Sequence, residues 1–141
     1  PAARAGEGRG SWERYYRRWA CMTLDEIGPD AVRLVAPLER FVPPGRVLDK
    51  TVYSPWTEGH LDRLLTGTGT ETIVISGGET DVCVLATVLG AIDRGYRVVL
   101  AIDALCSSSD ETHDALMRLY LTRFSEQIEV ASSEEILENW R

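Results

Sequence analysis

Little in this sequence ties it to a membrane, a disulfide framework or a nucleic acid. No apolar run approaches the roughly 20 residues needed to cross a bilayer. Residues 1–10 (PAARAGEGRG) are Gly-rich and polar, without the apolar segment of a signal peptide, so a cytoplasmic chain is expected. Cysteine is sparse: Cys21, Cys83 and Cys106. Their odd number and wide spacing fit neither a disulfide framework nor a zinc site, and a reducing compartment is the default. The two histidines, His60 and His113, form no metal-ligand spacing; both fall on helix-like surface segments and read as structural. Positive charge is in deficit, with 15 Lys+Arg against 22 Asp+Glu and a formal net charge of −7. That argues against a phosphate-backbone partner, because no basic stripe offsets the repulsion. WERYYRRW (residues 12–19) is basic and aromatic but is one short segment. Internal repeats and low-complexity tracts are absent.

What is present suits one globular domain over residues 1–141. The chain is 44% hydrophobic and 26% charged, and its length is enough to bury a core without disulfides or metal. Residues 1–45 read as an aromatic helix and a connector, and 46–141 as the core. Ser11 is suited to cap a helix. Trp12, Tyr15, Tyr16 and Trp19 follow at i, i+3, i+4 and i+7, which places four rings on one helical face. That face serves either for packing or a subunit interface, or to line a pocket. Residues 28–45 hold four of the six prolines and form the connector.

Beyond it, strand and helix patterns alternate. RVLDK (46–50) reads as a short strand and 58–65 as a helix. TIVIS (72–76) is a continuous β-branched run, as in a strand buried on both faces. Thr80–Arg94 has a helical apolar face and stops at Gly95. Arg97–Asp103 reads as a strand, Asp110–Phe124 as a helix and Gln127–Ala131 as a last strand. Ser132 with Glu135 forms a capping box for a terminal helix. Alternation of this kind predicts a three-layer αβα fold around a parallel, Rossmann-like sheet. Ligands bind such sheets beyond the carboxyl ends of the strands, here Lys50, Gly77-Gly78, Asp103 and Ala131.

GGETDVCV (77–84) carries the chemistry. Two glycines end a strand, Thr80 is a plausible N-cap, and Cys83 falls in the first helical turn. Unpaired N–H groups and a positive partial charge there favour a thiolate and can receive an oxyanion. The competing reading is a small core cysteine. Lys50, ending another strand, is either the thiolate's neighbour or a surface lysine. Asp81 is two residues from Cys83 and so faces away on a helix, and Asp49 points opposite to Lys50 on a strand. Asp103 is either a proton acceptor or a tie for the following loop. Cys21 and Cys106 read as passive.

DKTVYSPW (49–56), TIVISGGETDVCVLAT (72–87) and DRGYRVVLAIDALCSSSDETHDAL (93–116) together resemble the isochorismatase-like cysteine hydrolases over residues 46–137. The resemblance implies an Asp-Lys-Cys triad, with Lys50 and Cys83 matching the last two members. It implies a cis Gly78–Glu79 peptide and an oxyanion hole made by the N–H groups of Glu79 and Cys83. The family's aspartate ends its first strand in a V-x-D-M-Q-like segment, which residues 1–141 do not contain. By the same comparison the first two strands are lacking, about 50 residues' worth for a domain of this type. RVLDK and TIVIS are then expected not to be neighbours, with open edges. Nicotinamidase-like members add an Asp/His zinc site; no such cluster stands out, and neither metal nor other cofactor is expected.

With Cys83 retained, the resemblance implies amide or carbamoyl C–N hydrolysis through a thioester. Trp56 and Glu79 are candidate substrate contacts, Glu79 being equally suited to favour a helix dipole. The expected partners are a small-molecule substrate and further copies of the chain, as dimer or tetramer, with no nucleic acid and no membrane. Two alternatives come from other classes: a catalytically inactive binding or assembly module, and a thiol-redox protein that would need Cys21 or Cys106 beside Cys83.

Overall fold

The computed structural model describes residues 2–140. The chain divides into two compact units, residues 1–51 and 52–141.

The first unit is built from short helical pieces. Helix α1 spans Ser11–Arg18. Gly10, at φ 64°, occupies the N-cap without a side-chain hydrogen bond, so Ser11 is the first helical residue and not the cap. Tyr16 is buried; Trp12 stacks on it with centroids 5.9 Å apart, and Tyr15 meets it edge-on. Tyr15 and Trp19 are exposed, and Arg18 lies over the Trp19 ring. The four aromatics therefore do not form one buried face, because the helix ends at Arg18 and Trp19 leaves its direction. Helices α2 (Leu24–Ile27) and α3 (Ala36–Glu39) are single turns. The Val42–Pro43 and Pro43–Pro44 peptides are cis.

The RVLDK strand expected at 46–50 does not form: these residues are outside helix and strand. A strand exists only through a hydrogen-bonded neighbour, and among the described residues the sheet consists of three other segments.

The second unit is α/β. Helix α4 (His60–Leu65) leads to β1 (Thr72–Gly78), which enters a π-helical turn at Thr80–Val84 and then α5 (Leu85–Asp93). Strand β2 (Arg97–Cys106), α6 (Asp110–Arg123), β3 (Ile128–Ala131) and α7 (Ser133–Asn139) complete it. The open sheet is parallel, in the order β1-β2-β3. Register places Ile73, Val98 and Ile128 side by side, then Ile75, Leu100 and Val130. These residues of one sheet face join Val84, Val88, Ala91, Tyr120 and Trp56 in the core cluster. Of the run TIVIS, expected to be buried on both faces, only Ile75 is buried and Ser76 is exposed, because β1 is the edge strand among the described residues.

Helix α7 starts with the expected capping box, Ser132 and Glu135 bonding each other's backbone N–H. Asp103 anchors that start: its two oxygens accept from the Ser133 N–H at 2.7 Å and the Ser133 hydroxyl at 2.6 Å. These bonds, the hydroxyl's first, hold the Asp103 carboxyl below its usual range.

Candidate active site

The site grows out of the way β1 ends. Gly77 sits at φ 96°, which a side chain would disfavour. Gly78 pairs with Cys106 across the sheet, and a Cβ on it would lie 3.0 Å from Cys106 Sγ and 3.1 Å from the Cys106 carbonyl oxygen. Only glycine lets the two strand ends approach so closely. The Gly78–Glu79 peptide is cis, as the resemblance implies.

Next comes the turn that carries Cys83. An α-helix would run the Val84 N–H to the Thr80 carbonyl, four residues back. It runs instead to the Glu79 carbonyl at 3.0 Å, which also accepts from the Val82 N–H at 3.1 Å. π-turns of this kind are rare and concentrate at functional sites. The helix expected over Thr80–Arg94 is thus two segments, and Glu79, not Thr80, is the capping residue. Cys83 is partly buried within the turn, and its carbonyl accepts the Thr87 hydroxyl at 2.7 Å. Glu79 is partly buried at the start of the turn.

The last carbonyl of β2, together with side chains from the loop after it and from α6, holds this turn. The Thr80 side chain is fully buried; its hydroxyl lies 3.2 Å from the Cys106 carbonyl and 2.9 Å from His113 Nδ1. The Tyr120 hydroxyl donates to the Thr80 carbonyl at 3.0 Å. Asp81 accepts from the Ser107 hydroxyl at 2.5 Å. Its carboxyl is lowered first by that bond, then by one from Thr112, with His113 adding a smaller effect. So Asp81 secures the loop after β2, and His113 is structural in a way a surface histidine is not. His60 is exposed, 3.8 Å from Glu58.

Burial pushes the Tyr120 hydroxyl up to about 12. The sign follows directly: above about 10 the unfolded chain releases a proton that the folded chain keeps. Tyr120 therefore contributes fully below pH 10 and loses its contribution as pH rises to about 12. Urea unfolding of wild type and Tyr120→Phe is expected to show a constant difference below that window and a shrinking one within it. A difference independent of pH would contradict the buried placement.

Lys50 lies at an exposed position of the first unit, in the irregular stretch 46–50. Trp56, expected beside the pocket, is 4% exposed and belongs to the core. Its Nε1–H donates to the Thr87 carbonyl at 3.0 Å, Tyr96 stacks on its ring, and the Arg94 guanidinium lies 4.4 Å from the ring centre. That guanidinium is fixed by two bonds to Asp62, at 2.6 and 3.0 Å. Asp103, bonded through both oxygens to Ser133, has the tying role. Cys21 and Cys106 are exposed free thiols. Among the described residues, no group of three His, Cys, Asp or Glu side chains is placed to hold a metal ion. No helix among them is long and apolar enough to cross a membrane.

Sequence reasoning missed the burial of Thr80 and the part played by Tyr120. The available signal was spacing: His113 and Tyr120, seven residues apart, share one face of α6, and the capping role given to Thr80 concealed it.

The Isochorismatase domain model matches residues 4–132, most of the chain. The chain belongs to the isochorismatase family. It is 35% identical over 78 residues to an uncharacterised isochorismatase family protein of Bacillus subtilis, YwoC, covering 55% of this chain and 40% of that one. An isochorismatase family protein from Desulfovibrio vulgaris has the same fold, with a TM-score of 0.74 at 24% identity over 98% of this chain and 70% of its own. The nicotinamidase of Staphylococcus aureus aligns at 28% identity with a TM-score of 0.54, over 59% of this chain and 52% of its own. The chain thus spans well under two thirds of YwoC and of this nicotinamidase.

Proposed function

We propose that this protein is a cysteine hydrolase that cleaves an amide or carbamoyl C–N bond of a small molecule through a thioester on Cys83. One observation carries the reading: Cys83 lies in a π-turn at the carboxyl end of β1, held by the Cys106 carbonyl of β2 and by the His113 and Tyr120 side chains of α6. A passive cysteine needs no such scaffold. Kinship with nicotinamidases supports the choice of C–N chemistry.

In the proposed cycle the Cys83 thiolate attacks the carbonyl carbon and forms the C–S bond. The carbonyl electron pair moves to oxygen, which the N–H groups of Glu79 and Cys83 stabilise. Collapse breaks the C–N bond, and ammonia or an amine leaves with a proton. Water then attacks the thioester, releasing the acid and restoring the thiol. Cys83 loses its proton to the aspartate that the resemblance assigns, and not to Asp103, whose oxygens are bonded to Ser133. The resemblance alone assigns the stabilising cation to Lys50. Glu79, beside the turn, is the proposed contact for an amine or amide on the substrate.

The test is release of ammonia or amine from a panel of small amides and carbamoyl compounds, with vinyl ethers as controls. Turnover of C–N substrates that iodoacetamide abolishes is expected. Turnover of vinyl ethers alone, or C–N turnover insensitive to alkylation of Cys83, would overturn the reading.

A further inference from the structure

Two side chains and a main-chain carbonyl outside the proposed chemistry converge on one residue of the nucleophile turn. Thr80 is fully buried, three residues before Cys83. Its carbonyl is the one that a regular α-turn would pair with the Val84 N–H. That N–H goes to Glu79, and the Tyr120 hydroxyl donates to the Thr80 carbonyl. The Thr80 hydroxyl, with one proton, lies within reach of the Cys106 carbonyl and of His113 Nδ1. Both contacts are made at once only when Nδ1 carries a proton and donates it to Oγ1. One face of α6 thus grips Thr80 at its backbone and its side chain, and the end of β2 supplies the third hold.

From this we infer that His113 and Tyr120 are positioning residues: by holding Thr80 they keep the turn in its π form and so fix where Cys83 Sγ meets the N–H groups of the helix start. The inference rests on the hydrolase reading of Cys83. Its physical basis is the poorer intrinsic geometry of a π-turn, which persists only where its surroundings stabilise it. Without Tyr120's hydroxyl, the Thr80 carbonyl would lose its side-chain donor, and a shift to accepting the Val84 N–H would tighten the turn toward α. Cys83 would then rotate relative to the N–H groups that favour its thiolate, an effect confined to the first turn. No substrate contact by either residue is involved.

The experiment is alkylation of Cys83 in the full-length protein by iodoacetamide, followed by peptide mapping across pH, with thermal unfolding measured in parallel. Four variants are compared with wild type: Thr80→Val, Tyr120→Phe, His113→Leu and His113→Asn. Thr80→Val, Tyr120→Phe and His113→Leu are expected to slow alkylation of Cys83 roughly tenfold relative to Cys21 and Cys106 of the same folded protein. His113→Asn, whose amide N–H donates over a similar reach, restores most of the wild-type rate. Tyr120→Phe keeps the buried ring and reads the effect even where Thr80→Val fails to fold. An unchanged Cys83 alkylation rate in Tyr120→Phe and His113→Leu, whatever their melting temperatures, would overturn the positioning role, as would an Asn variant no better than Leu. A wild-type Cys83 that reacts no faster than Cys21 and Cys106 is a different failure, that of the hydrolase reading itself.

Discussion

Cys83→Ala is expected to lower kcat/KM for C–N substrates by ~10⁴-fold or more while leaving the fold intact. Removing a nucleophile that forms the covalent intermediate takes away the whole attack step, and such losses lie at the upper end of single-residue effects. The structural cost is small by comparison. Cys83 is only partly buried, and its hydrogen bond from Thr87 is to the backbone carbonyl, which alanine retains. Parallel Cys21→Ala and Cys106→Ala variants should keep the activity within a few-fold of wild type, both thiols being exposed. Steady-state kinetics on all three, with circular dichroism as the fold control, separates the cases. Retained activity in Cys83→Ala would assign the attack to water or to another group.

Trp56→Ala is expected to destabilise the second unit by about 3–5 kcal/mol, a cost typical of deleting a buried aromatic. Against the 5–15 kcal/mol total of an ordinary domain, that removes a large part of its stability. The indole is almost fully covered, donates to the Thr87 carbonyl, stacks on Tyr96 and receives Arg94 on its face. Gly90 of α5 makes room for it. A Cβ there would lie 2.1 Å from Trp56 Cδ1 and 2.5 Å from Nε1, distances no pair of atoms tolerates. Gly90→Ala therefore sets two effects against each other. Helix propensity favours alanine by about 1 kcal/mol. Overpacking costs roughly 1–3 kcal/mol or more, and the overlap here involves a ring held on three sides. Destabilisation wins, and Gly90→Ala is expected to lower the unfolding midpoint despite the better helix former. A stabilised Gly90→Ala variant in urea or thermal unfolding would contradict the packing described. These effects give Trp56 a core role.

Much of the second unit was legible because local patterns and tertiary needs agree there. TIVIS reads as a parallel strand and is one, although only Ile75 of the run is buried; Ser132 and Glu135 cap α7 as their spacing predicts. Legibility failed where a segment depends on distant partners. RVLDK has strand composition, yet composition cannot supply a neighbouring ladder, and residues 46–50 are irregular. Thr80 has the chemistry of an N-cap, but a buried hydroxyl between β2 and α6 serves it better than a local backbone bond. The π-turn has no sequence signature that separates it from an α-helix, since its extra residue is accommodated by contacts from Tyr120 and His113. Cys83 was identifiable as a candidate from GGETDVCV, because glycines, turn and helix start are consecutive in sequence.

The most direct test of a thioester on Cys83 is to quench the protein with acid during turnover of a small amide and map the acylated peptide by mass. The account requires an acyl adduct on the Cys83 peptide that hydroxylamine removes and that Cys83→Ala lacks. Turnover with no adduct on Cys83 under conditions that trap the steady state, or an adduct placed on Cys21 or Cys106, would contradict it.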